Sequence, residues 1–146
     1  MNDSKSGKWM LIPRNGKTED TKFFKMDYNQ FIFHHSNMYE EGEKVFIDSV
    51  CMEGGIDFDI TTANVTRDYF KAREFGGTGS WTGFFRHELD LKSGSVERYR
   101  LSDRGCEFPQ INADKTGKKY QFAYVPASGN EGAWYQPFQA LMKVDV

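Results

Sequence analysis

The stretch Lys44 to Met52, KVFIDSVCM, sets the tightest limit on what this chain can fold into. Read as a strand, it places Val45, Ile47, Ser49 and Cys51 against Phe46, Asp48, Val50 and Met52, so both faces carry apolar side chains. A strand of that kind belongs inside a sheet covered on two sides. The polar turn Glu40-Glu41-Gly42-Glu43 precedes it, and before that turn Gln30 to Ser36 reads as a second aromatic and β-branched strand.

The rest of the chain has the same character. Trp9 to Pro13 is apolar, Arg14-Asn15-Gly16-Lys17 carries the Asn-Gly signal of a tight hairpin, and Thr21 to Met26 reads as the return strand. Gly83 to Leu91 and Ser95 to Leu101 flank the hairpin turn Lys92-Ser93-Gly94. Tyr120 to Val125 and Phe138 to Val146 complete the strands, while Asp68 to Arg73 suggests one turn of helix and Gly76 to Gly79 a loop. No stretch sustains a 3.6-residue apolar period, and a composition with 16% aromatics and 14 glycines agrees with strands and turns.

A repeat sharpens this to an architecture. Leu89-Asp90-Leu91 recurs as Val144-Asp145-Val146, 55 positions later (144 − 89). Antiparallel strands repeating at about fifty residues are the mark of a propeller blade. The expectation is an all-β fold: about two to three blades over residues 1–146, one partial domain truncated at both ends, since a closed propeller takes about four to eight.

Charge excludes other classes. The net charge is −2 and Lys and Arg are scattered, so nucleic acid is not an expected partner. Cys51 and Cys106 have no metal or disulfide spacing and read as reduced core thiols of an intracellular protein, cytoplasmic or plastid. The opening MNDSKSGKWMLIP lacks the apolar stretch of a signal peptide, and no segment is long enough to cross a bilayer. Exposed aromatics leave room for a peripheral membrane contact.

Two adjacent histidines, His34 and His35, interrupt the first of the two strands and must point to opposite faces. Simple alternation groups His34 with Ile32 and Ser36, and His35 with Phe31 and Phe33. His35 reads as structural, and so does His87, between Arg86 and Glu88 of an amphipathic strand. A buried imidazole needs a partner for its second nitrogen, and metal-binding histidines commonly give that N–H to a carboxylate. Glu107, in CEFPQIN, is a candidate acid for His34; the alternative is an ion pair between Glu107 and Arg104 or Arg73. Spacing does not choose between them.

FIFHHSNMYEEGEKVFIDS together with CEFPQIN resembles the carotenoid cleavage oxygenase family, most closely its apocarotenoid-oxygenase branch. FFRHELDLKSGSVERYRLSDRG and KKYQFAYVPAS with FQALMKVDV extend the resemblance in order along nearly the whole chain. It implies a seven-bladed β-propeller with Fe(2+) on its axis, held by four histidines, three of them oriented by glutamates. It implies that His34 is an iron ligand, that Glu107 orients it, that His35 is structural, and that Phe33 packs near the iron or the substrate tunnel. It also implies a reaction, the cleavage of a conjugated C=C bond of a carotenoid or apocarotenoid by O2, with an apolar polyene and O2 as partners. The aromatics Phe31, Phe33, Tyr39, Phe84, Phe85, Phe108, Tyr120, Phe122 and Tyr124 would line a tunnel in part, most of them filling space between blades. Sequences matching the other three iron-ligand histidines are lacking, so the expectation is that the 146-residue chain alone is inactive. The rival is a non-catalytic propeller-type binding or scaffold module that presents Trp9, Trp81 and Trp134.

Overall fold

The computed structural model describes residues 7–53, 82–129 and 138–146. Among the described residues eight strands run in order: β1 (Lys8–Leu11), β2 (Lys22–Lys25), β3 (Gln30–Glu41), β4 (Lys44–Glu53), β5 (Thr82–Asp90), β6 (Val96–Ser102), β7 (Phe122–Ala127) and β8 (Ala140–Asp145). They form three antiparallel sheets: β1-β2, β3-β4-β5-β6 and β7-β8. The expected turn of helix and glycine loop at Asp68 to Gly79 lie outside the described residues.

β4 is an inner strand, flanked by β3 and β5, as its two apolar faces require. One face of the four-stranded sheet packs on β1-β2 through Val45, Ile47 and Leu89 with Phe24. The other packs on β7-β8 through Tyr39, Val50 and Phe84 against Ala123, Val125, Ala127 and Val144. Each fully buried Phe, Leu or Val contributes on the order of 1.5–3 kcal/mol, so the sheet is held from both sides.

The repeat survives in the register. Asp90 lies opposite Lys44, the first residue of β4, and Asp145 lies opposite Phe122, the first residue of β7. Thus β7-β8 corresponds to β4-β5, and the segment that bridges to β7 at Cys106 and Gln110 corresponds to β3. The fold is an all-β piece of a propeller, in which the edge strand β3 of one blade meets the edge segment Cys106–Gln110 of the next.

Three expectations are corrected. The Asn15-Gly16 signal does not make a tight hairpin: a loop with a short 3-10 turn at Thr18–Asp20 joins β1 to β2. The histidine strand runs on to Glu41, well past Ser36. Its faces also differ from simple alternation, because Phe33 and Ser36 are each unpaired residues in bulges against β4. Opposed residues share a face, so His34 (opposite Val50) lies with Phe31, Asn37 and Tyr39, while His35 (opposite Ser49) lies with Ile32 and Met38.

Candidate functional site

β3 brings His34 to the interface between the two blades, and the carboxylate that meets it comes from the neighbouring edge segment. His34 Nδ1 lies 2.6 Å from Glu107 Oε2. The Glu107 side chain is 4% exposed and that of His34 46%, so the acid is sealed and the imidazole looks outward. Glu107 Oε2 also accepts the Phe108 N–H at 2.7 Å, and the Glu107 N–H donates to the Pro126 carbonyl at 3.1 Å, anchoring the segment on β7. Glu107 Oε1 is buried with no hydrogen-bond partner among the described residues. A carboxylate only accepts, so the pair fixes the proton on Nδ1 and turns the Nε2 lone pair outward. Without the imidazole, a buried acid would keep a single backbone bond, which is costly.

The Arg104 alternative does not hold, since its guanidinium donates to the carbonyls of Ser128 and Gly129. Arg73 lies outside the described residues.

One aromatic ring, Phe108, flanks the pair. Phe108 has φ 55°, the left-handed region that a non-glycine residue seldom adopts, and its ring sits 5.0 Å from His34 and 5.8 Å from Phe138. Such a conformation costs on the order of 1–3 kcal/mol, and its position beside the buried acid fits strain stored at a working site. Phe33, in its bulge, is 48% exposed and packs edge-on against Phe31 at 4.7 Å. Of the other aromatics, Tyr39, Phe84, Phe85 and Tyr120 are buried in the core, the space-filling role expected of most of them.

His35 and His87 lie on the opposite face. His35 Nδ1 pairs with the Ser49 hydroxyl at 2.7 Å, and its ring is 5.8 Å from Trp9. His87 is wholly buried on the core side of β5, where buried His87 and Leu89 alternate with part-exposed Arg86, Glu88 and Asp90, the amphipathic pattern the sequence suggests. His87 Nε2 meets Gln30 Oε1 at 3.0 Å, and Trp9 stands edge-on at 5.1 Å. Burial pushes the His87 imidazole down to about 4, and the Arg98 and His35 charges add to that. Both histidines thus take hydrogen-bond partners other than Glu107. Trp9, which the binding-module reading wanted exposed, is half-buried here, and Trp81 and Trp134 lie outside the described residues.

Two groups at the same interface escaped the sequence reading. Asp48, fully buried, holds Arg86 through two 2.8 Å bonds and accepts the Tyr120 hydroxyl at 2.7 Å, bridging the blades. Asn37, 6% exposed, binds the turn that leads into β7. The available signal was spacing: His34, Asn37 and Tyr39 fall on one face only when one extra residue bulges between the first two. Among the described residues no group of three or more His, Cys, Asp or Glu side chains converges as a metal site.

A propeller edge carrying a histidine backed by a buried glutamate defines a class, and comparison with known proteins supplies the family. The family described as Retinal pigment epithelial membrane protein matches residues 1–146, and the chain belongs to it. It is 28% identical over 137 residues to Apocarotenoid-15,15'-oxygenase of Synechocystis sp., covering 94% of this chain and 26% of that protein. It is 30% identical over 122 residues to Carotenoid 9,10(9',10')-cleavage dioxygenase 1 of Arabidopsis thaliana, covering 83% and 21%. The solved structure of cobalt-substituted Synechocystis ACO superimposes with a TM-score of 0.75 at 26% identity, over 99% of this chain and 28% of that one. The chain therefore spans about a quarter of the length of the relatives it matches. Members of the family are iron-dependent oxygenases.

Proposed function

We propose that this chain contributes one iron ligand and its orienting acid to a non-haem Fe(2+) dioxygenase that cleaves a conjugated C=C bond of a carotenoid or apocarotenoid with O2. The observation that carries the reading is the 2.6 Å contact between His34 Nδ1 and the buried Glu107 carboxylate, which leaves Nε2 facing outward. A metal-bound histidine commonly has its far nitrogen held in this way. Relatives named for carotenoid and apocarotenoid cleavage support the substrate class.

The residues present fit one quarter of a four-histidine site. His34 offers Nε2, the ring nitrogen that Glu107 does not hold, and Cys51 and Cys106 are buried and do not compete. A ferrous ion needs several preplaced donors, so the 146-residue chain by itself is predicted to bind no Fe(2+) tightly. Bound iron supplies the redox chemistry with O2. The chain's own residues have three tasks. Glu107 keeps the proton on His34 Nδ1 and fixes the ring plane. Phe33 and Phe108 give the exposed side of the imidazole an apolar border suited to a polyene. The buried core behind Glu107 excludes water from the acid.

The test is Glu107→Gln in the full-length protein. Loss of such a partner weakens metal affinity by roughly 10–100-fold, with activity falling in step. Unchanged affinity and activity would sink the assignment of Glu107.

A further inference from the structure

The His34–Glu107 contact joins two separate sheets, so something must hold those sheets in register. We propose that Asn37 is a positioning residue that locks the second blade's edge segment so that Glu107 reaches His34. The proposal takes its functional weight from the reading of His34 and Glu107 above, but its geometry stands on separate contacts.

Asn37 shares the His34 face of β3 because Ser36 bulges between them. Its Nδ2 donates to the Lys115 carbonyl at 3.3 Å and the Lys118 carbonyl at 3.0 Å, and its Oδ1 accepts the Gly117 N–H at 2.9 Å. One nearly buried amide thus satisfies three backbone groups of one turn, in which Gly117 takes φ 73°. That turn is the connection between the Cys106–Gln110 segment and β7. On either side of it the chain is rigid: Gln110 and Tyr124 exchange two 2.8 Å backbone bonds, and Glu107 N–H is fixed on Pro126. The turn, the segment and Glu107 therefore move as one body with respect to β3, and Asn37 ties that body to the strand carrying His34. An amide is the side chain that can do this, since it both donates and accepts at one end.

The test uses the metal-free full-length protein, 15N-labelled at histidine, at a pH above the ordinary histidine range, and reads which ring nitrogen of His34 carries the proton. In the wild type His34 should be the Nδ1–H form. In Asn37→Ala and in the milder Asn37→Ser, that preference should be lost and the ring should show the mixture of an unconstrained histidine. Leu89→Ala, which loosens the opposite face of the same sheet, should keep the Nδ1–H form. Retention of Nδ1–H in folded Asn37 variants, or its equal loss in Leu89→Ala, would overturn the proposal. Wild-type amide exchange gives a second reading that needs no variant: the Gly117 and Phe108 N–H groups should open together with matching protection. Independent protection of the two amides contradicts the proposal. If the wild-type ring itself lacks the Nδ1–H form, it is the His34–Glu107 pairing that fails.

Discussion

His34 and His35 are neighbours in sequence and differ in almost everything else. His34 faces the second blade, where a sealed carboxylate takes its Nδ1 and its ring is left partly open. His35 faces β1-β2, where a serine hydroxyl takes its Nδ1 and Trp9 packs near its ring. The contrast extends to the two faces of the sheet. The His35 side is joined mainly by hydrocarbon, with Phe24, Val45, Ile47 and Leu89 at its centre. The His34 side adds a set of polar bridges to its core: His34–Glu107, Asn37 with the 115–118 turn, and Tyr120 with Asp48 and Arg86. The hydrophobic effect is non-directional, whereas hydrogen bonds fix direction. The face that must aim an imidazole is the one built with directional contacts.

The contrast breaks most sharply by exchanging the two histidines' fates. In the full-length protein His34→Ala should abolish iron retention and cleavage, while His35→Ala should retain both and lower thermal stability. Metal analysis and turnover on the two variants decide it, and equal losses would erase the distinction. Next in size is Asp48→Ala, which strands the Arg86 guanidinium between blades and should cost about 3–5 kcal/mol by denaturant unfolding. A cost below about 1 kcal/mol would show that the polar bridges do not hold this interface.

On the other face the expected signal is a pH dependence. His87 titrates near 4 in the fold and near 6.5 when unfolded, so the unfolded chain binds the proton first as pH falls. Its contribution is complete above pH 6.5, declines through the window down to about 4, and is constant below. Between pH 6.5 and 5 the loss should approach about 2 kcal/mol. His35, also lowered by burial, acts in the same direction. Unfolding curves across that window check this, and His87→Gln should flatten the slope. A slope unchanged in His87→Gln would remove His87 as its source.

Much of the fold was legible because it rests on local rules. The two-faced pattern of β4, the Gly42 and Gly94 turns and the Asp90/Asp145 repeat all depend on short-range chemistry, and each stands where the residues suggest. The pairing of His34 with Glu107 was legible only through family resemblance, since 73 positions separate them and Arg104 was an equal candidate by spacing. What escaped was register. A bulge shows no composition of its own, so Phe33 and Ser36 looked like ordinary strand residues and the faces of β3 were misread. Asn37 and the Asp48–Arg86–Tyr120 bridge escaped for a related reason, because each works through partners that only the juxtaposed blades bring near. Phe108's left-handed backbone has no signature in its residue type.

The most direct test is a metal-loaded crystal structure of the full-length protein, with the metal located by its anomalous signal. The account predicts the ion bonded to Nε2 of His34 while Glu107 stays on Nδ1 of the same ring. A metal centred elsewhere, or bound through Nδ1 with Glu107 turned away, would contradict it.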